Sequence, residues 1–201
     1  MQYGISILLS GISLGGQYAL IAIGYTMVYG ILRLINFAHG DVFMVAGLML
    51  VYLSASLPLA AAIPLMVLLT VLLGFIIERA AYKPLRTAPR MSVMISAIGV
   101  SYLLQNLATY VTGGLPQMYP AISGLSAQLT IAGVSTKYVT VITPVLVVVL
   151  VVALTQLINH TKIGMAMRAV SRDFETAQLM GIRINSVISV TFIIGSLLAA
   201  I

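Results

Sequence analysis

The residues of this chain that could do chemistry are few, and most of them lie in two short stretches. The first is a polar island, residues 36–41, which follows Arg33 between two uncharged runs. Its candidate residues are Asn36, His39 and Asp41. Such groups near membrane depth are costly and tend to face a cavity or each other, whereas the alternative is an ordinary turn made by Gly40. One histidine and one acid supply too few ligands for a metal.

The second stretch begins at Ser171 and has the signals of a short helix. Ser171 can cap it, the two acids that follow suit its first turn, and Gly181 can end it. One side presents an apolar stripe of Phe174, Ala177 and either Met180 or Gly181. The stripe predicts docking into a groove on a partner protein. The alternative is packing on the chain's own helices or at the membrane surface.

A third feature is the pair Gly11 and Gly15, four residues apart in an apolar run. On a helix this spacing lets a second helix approach closely. We expect that helix to belong to the same chain, with a contact to another subunit as the alternative.

The chain lacks the residues that enzymes and nucleotide-binding proteins need. It has two histidines and no cysteine, so no nucleophilic or thiol site can be assembled, and it has no G-x-x-x-x-G-K-[ST] loop for ATP. We therefore predict no enzyme and no cofactor in this chain. The net charge of +6 does not indicate nucleic-acid binding, because the ten basic residues cluster in short connections.

Composition predicts the elements that position these residues. Hydrophobic residues make up 61% of the 201 positions and charged residues only 7%, against about a quarter in soluble domains. About 20 apolar residues suffice to cross a bilayer as a helix. The uncharged runs are Met1–Leu32, Val42–Ile77, Met91–Thr136 and Tyr138–Asn159. The sequence therefore predicts an all-α, polytopic transmembrane bundle surrounded by lipid.

Basic residues predict the orientation of this bundle. Glu78–Arg90 and Thr161–Ser186 carry most of them and should face the cytoplasm, whereas Gly113–Lys137 reads as an external loop. Val42–Ile77 is nearly twice the length of one crossing, so it should fold into two passes that break near Pro58 or Pro64. The N-terminus is then external, and residues 33–41 are either cytoplasmic or re-entrant.

The last span should begin at Val187, with Ser186 as its N-cap. Too few residues follow for a full crossing, so we expect five complete spans plus a truncated sixth. The expected domain is a single transmembrane unit over residues 1–201, whose C-terminal part is missing.

Several motifs together resemble the LivH-type permeases of the branched-chain amino acid ABC importers. The matching stretches are Tyr18–Ile31, Ile35–Asp41, Glu78–Arg79, Tyr82–Arg86, Ile95–Gly99 and Gly164–Gly181 with the span after it. The resemblance covers about Gly11 to Ala200. It implies a multi-pass protein of the inner, or plasma, membrane that pairs with a second related permease. It also implies two cytoplasmic ATPase subunits, which hold ATP and Mg²⁺, and an external substrate-binding protein.

The same resemblance assigns roles to the candidate residues. The E-A-A-x-x-x-G coupling loop of ABC importers is similar to Glu175–Gly181, with Thr176 in place of the first alanine. The residues expected to contact the ATPase are Phe174, Glu175, Thr176, Ala177 and Gly181. Asn36, His39 and Asp41 are expected on the translocation path or at the permease interface. The alternatives are urea or short amides as substrate and, outside the family, an ion-coupled secondary amino acid carrier.

Overall fold

A computed structural model describes residues 2–33, 35–86, 88–119, 128–131 and 134–201. Its elements in chain order are α1 Gln2–Leu32, α2 His39–Ser56, α3 Leu59–Ile77, α4 Arg90–Thr112, β1 Gln128–Ile131, β2 Val134–Lys137, α5 Tyr138–His160, α6 Lys162–Arg172, α7 Phe174–Leu179 and α8 Ile184–Ala200. In these residues five helical segments are long and apolar enough to cross a membrane, and α8 is a shorter apolar helix. The predicted helical membrane bundle is confirmed.

The surface of the bundle is suited to lipid. Large apolar side chains such as Leu8, Leu68 and Leu103 are more than half exposed on the long helices. In a hydrocarbon environment a helix satisfies its own backbone hydrogen bonds, so such surfaces are stable without further cover. The connection between α4 and α5 adds one small feature, the antiparallel pairing of β1 with β2.

The double pass over Val42–Ile77 breaks at Pro58 alone. Leu57 is extended and Pro58 caps α3, as expected for a proline and the residue before it. Pro64 lies within α3, and the helix continues through it. It lies only five residues after the start of α3, where a missing N–H removes a single bond.

Small residues set where the helices cross. A Cβ on Gly74 of α3 would overlap the Ser196 side chain of α8, and a Cβ on Gly16 of α1 would lie 3.1 Å from Val147 of α5. Helix association in lipid depends on close packing of this kind. The predicted start of α8 is wrong: the helix begins at Ile184 rather than Val187, and Arg183 stands at the N-cap without a side-chain bond.

Within the described residues, Gly11 and Gly15 do not pack against another helix. No described atom that could crowd them lies within 4 Å of the position where their Cβ atoms would be. Gly16, one residue further along, is the glycine that packs, because it is on the side of α1 that faces α5. A contact of Gly11 and Gly15 with a second subunit stays a prediction.

Candidate functional site

The polar island folds back into the bundle. A Cβ on Gly24 would lie 2.8 Å from Nε2 of His39, the first residue of α2. Gly24 is eight residues before the end of α1, or ~12 Å at 1.5 Å per residue. The chain after α1 therefore folds back so that the His39 side chain enters the bundle beside α1. Whether residues 33–41 are cytoplasmic or re-entrant stays a prediction.

Asn36 and His39 are both buried at helix crossings. The Tyr82 hydroxyl donates to Oδ1 of Asn36 at 2.8 Å, which ties the island to the end of α3. His39 lies where α1 and α8 meet, beside Gly24 and Gly195, and is only 3% exposed. Its Nε2 has no hydrogen-bond partner among the described residues.

Asp41 lies on another side of α2 and faces α4. Its Oδ1 accepts from Nε2 of Gln105 at 3.0 Å, and the same amide nitrogen donates to Ser101 at 3.1 Å. Gln105 is fifteen residues into α4, ~22 Å from the start of that helix at Arg90. The carboxylate is thus well inside the bundle.

A large cavity lies next to this pair. Its volume is about 1390 Å³, and it lies between α1, α2, α4, α5 and residues 198–201, toward the end that carries the 113–137 connection. Most of its wall is apolar. Among its few polar side chains are Gln17, Gln105, Thr109 and Thr143.

A buried ion pair, which the sequence analysis missed, lies where the segment that continues α3 packs on α8. Glu78 lies in a π-helical turn that continues α3, is fully buried, and pairs with Arg86. Ser189 donates to Glu78 at 2.9 Å, and Arg86 donates to Asn185. Since helical structure continues to Leu85, the prediction of a loop from Glu78 is wrong for its first part, whereas its cytoplasmic side stays a prediction. The available signal was an acid at the end of an uncharged run with an arginine eight residues later.

The segment after α5 forms two helices where one was predicted. α6 buries Met167 and Val170 and exposes Met165 and Arg168, so it packs along the end of the bundle. Ser171 lies within α6 and does not cap the next helix. Asp173 does, because its extended backbone frees its carboxylate to accept from two backbone N–H groups of α7.

The electrostatics at this cap favour the ionised acid. Asp173 accepts from the hydroxyl and the backbone N–H of Thr176 and from the N–H of Glu175. The Thr176 hydroxyl is the largest cause that holds the pKa of this carboxyl below its ordinary value. Just before it, Arg33 donates to the carbonyls of Ser171 and Arg172 at 3.3 Å, and a cation is favourable at the end of α6.

The apolar stripe of α7 faces inward. Ala177 is only 4% exposed and Phe174 packs beside it, both in the main core of the bundle. This supports packing on the chain's own helices, so Ala177 is not available for docking. The exposed apolar residues are instead Leu179 and Met180, 87% and 79% exposed. Gly181 follows with a φ of +82°, which favours glycine and turns the chain into α8.

Comparison with known proteins gives a consistent family. Residues 7–201 match the family described as "Branched-chain amino acid transport system / permease component". The chain is 36% identical to the high-affinity branched-chain amino acid transport system permease protein BraD of Pseudomonas aeruginosa, over 96% of this chain and 67% of that protein. It is 38% identical to the corresponding protein LivH of Salmonella typhimurium and 37% to LivH of Escherichia coli, each over 99% of this chain and 69% of the relative. No solved structure matches it.

The match extends along nearly the whole chain, and the bundle has the membrane-spanning helices that a permease requires. Relatives of this kind are transport components rather than enzymes, and they work with other components of an ABC system in the inner membrane. The chain belongs to the family of permease components of branched-chain amino acid transport systems.

Proposed function

We propose that this chain forms part of the membrane pathway of an ATP-driven importer of branched-chain amino acids. The observation that carries the proposal is α7, a short helix with one side in the core of the bundle and an exposed apolar end at Leu179 and Met180. A partner that moves this end would move the spans with it. The substrate follows from what the relatives are named for.

The partners in this proposal are a second related permease, two cytoplasmic ATPase subunits and an external binding protein. ATP and Mg²⁺ bind the ATPase subunits, since this sequence has no phosphate-binding loop of the G-x-x-x-x-G-K-[ST] type. The contact with the ATPase is made by the exposed side of α7, which holds Glu175, Thr176, Leu179 and Met180. Phe174 and Ala177 anchor the helix from the other side, and Gly181 shapes the turn that follows.

A continuous set of contacts connects α7 to the spans. The N–H of Ile182 bonds to the carbonyl of Ala177 at 3.1 Å, so the turn into α8 is fixed to α7. Asn185 and Ser189, one turn apart on α8, then hold Arg86 and Glu78. A displacement of α7 is therefore passed to α8 and α3 as a rigid-body movement.

An ion-coupled carrier is the alternative from another class. Such carriers generally use intramembrane carboxylates. Here Glu78 is neutralised by Arg86, which leaves Asp41 as the acid in the described spans that could carry a coupling ion. Urea and short amides are the alternative substrates.

The experiment is uptake of leucine into proteoliposomes that contain the complete transporter and its purified binding protein. We expect uptake to require ATP, and neither a proton nor a sodium gradient to replace it. Uptake driven by an ion gradient alone would establish the carrier instead. Competition of urea with leucine would indicate that urea or short amides are the substrates.

A pair of variants tests the docking surface. Met180→Gln places a polar group at the exposed end of α7 and should lower both ATPase stimulation and uptake, whereas Met180→Leu keeps the surface apolar and should retain both. Equal activity of the two variants would show that Met180 does not contribute to the contact with the ATPase.

A further inference from the structure

Asp41 has a hydrogen bond to only one of its two carboxylate oxygens. The side chain is 8% exposed, and Oδ1 accepts from Gln105. Oδ2 is buried and has no partner within the described chain. An oxygen in this state is costly to bury, more so inside a membrane, and such a group is kept where it serves a function.

The basic side chains whose bonds the structure describes are engaged elsewhere. Arg86 pairs with Glu78, which is the one ion pair among the described residues. Arg33 donates to the carbonyls at the end of α6, and Arg168 donates to Ile158 and Asn159. The N-terminus of α2 favours an acid at this position, but it gives Oδ2 no donor. Lys137 is in the wall of the nearby cavity, but no described cation reaches Oδ2, so this oxygen can accept from a cation that enters from outside these residues.

The cavity beside Asp41 indicates where that cation comes from. Gln105, whose amide covers Oδ1, is also part of the cavity wall. The surrounding wall is built from apolar residues such as Leu20, Met44, Val51 and Leu146. Asp41 is not itself part of this wall, and its carboxylate lies behind the Gln105 side chain. An apolar chamber of about 1390 Å³ with this arrangement suits a ligand that has an aliphatic side chain and a primary ammonium group able to displace the amide.

We infer that Asp41 binds the ammonium group of the transported amino acid. Without substrate, the Gln105 amide occupies part of the position beside the Asp41 carboxylate. When the substrate arrives, its ammonium group pairs with that carboxylate. The inference rests on the proposed function and names a substrate-binding residue of that pathway. It also separates amino acids from neutral amides, because urea has no ammonium group to pair with Asp41.

The test uses Asp41→Asn in the complete transporter reconstituted with its binding protein. The asparagine Oδ1 can still accept from Gln105, so the fold should be retained, while the charge is lost. We expect leucine uptake to fall by at least about tenfold, as for loss of one member of a buried charge pair. Stimulation of ATP hydrolysis by the loaded binding protein should persist, since α7 is unchanged. Asp41→Glu should retain more uptake than Asp41→Asn.

The control is Asn106→Leu on the next residue of α4, which is exposed and outside the cavity wall; it should transport like the parent. Uptake at the parental level in Asp41→Asn overturns the inference and leaves the proposed function intact. A loss of ATPase stimulation together with a lowered melting temperature also overturns it, because Asp41 is then structural. Absence of ATP-driven uptake in the parent protein counts against the proposed function itself.

Discussion

Removing either partner of the buried Glu78–Arg86 pair should destabilise the protein, and the two losses should be unequal. Glu78 is fully buried, whereas Arg86 is 17% exposed. After Arg86→Ala the carboxylate keeps only the Ser189 hydroxyl. After Glu78→Ala the guanidinium keeps Asn185 and can turn toward water. Arg86→Ala is therefore the more damaging change.

The magnitudes follow from this difference in burial. An uncompensated buried charge costs about 3–5 kcal/mol, which is the expectation for Arg86→Ala. For Glu78→Ala we expect about 1–3 kcal/mol, the cost of leaving a partly buried donor without its acceptor. The double variant has no unpaired carboxylate, so it should lose less free energy of unfolding than Arg86→Ala alone. The coupling energy of the cycle is then at least the loss for Glu78→Ala, about 1–3 kcal/mol.

The assay is reversible unfolding of the purified protein in mixed micelles, with the free energy of unfolding measured for both single variants and the double variant. Arg79→Ala is the matched control, since Arg79 is an exposed neighbour on the same turn and should change the free energy by about 0.5 kcal/mol or less. Additive losses, or a greater loss for Glu78→Ala than for Arg86→Ala, would refute the reasoning.

Three further predictions concern the island and α7. Gly24→Val places a Cβ 2.8 Å from His39 Nε2 and should lower the free energy of unfolding by about 1–3 kcal/mol. Adding His39→Ala should restore part of that stability. Gly30→Val, where the space around the Cβ is open, should have little effect. Folding lowers the pKa of Asp173, so this cap should stabilise α7 fully above the ordinary pKa of 3.8 and lose its contribution as the pH falls through the folded pKa. Amide exchange in residues 174–179 should become faster in that pH range. In Asp173→Asn the exchange, once corrected for intrinsic rates, should not depend on pH. Gly181→Val, at a φ of +82°, should lower uptake per ATP hydrolysed without loss of protein from the membrane, and normal uptake in this variant would contradict the assignment.

The spans could be predicted from sequence because the bilayer imposes a length on every crossing. Uncharged runs such as Tyr138–Asn159 and the proline at 58 determine helix and break with little help from tertiary packing. The burial of His39 in the bundle could not be predicted, since the same residues suit an ordinary turn. It depends on Gly24 and Gly195, which leave room for His39 between two helices, and no local pattern shows that pairing.

The α7 helix shows a different kind of error. Phe174 and Ala177 of its predicted apolar stripe do lie together on one side, whereas Met180 is exposed, and a stripe does not reveal which surface covers it. The structure buries Ala177 in the chain's own core and leaves Leu179 and Met180 outside. Asp173 rather than the predicted Ser171 caps α7 for a related reason. Because α6 buries Val170, it continues past Ser171, where the short helix was predicted to start. Local propensity alone could not separate one helix from two.

The two carboxylates inside the bundle differ in how completely they are paired, and this difference indicates a structural role for one and a transport role for the other. Glu78 has an arginine and a hydroxyl, so its charge is balanced in place and it holds α3 against α8 near the end that carries α7. Asp41 has one amide, an oxygen without a donor, and a cavity beside it. An incompletely paired carboxylate that is buried in the bundle is not explained by stability, because a neutral residue there would cost less. A cationic group that arrives and leaves with each cycle gives it a reason to be present.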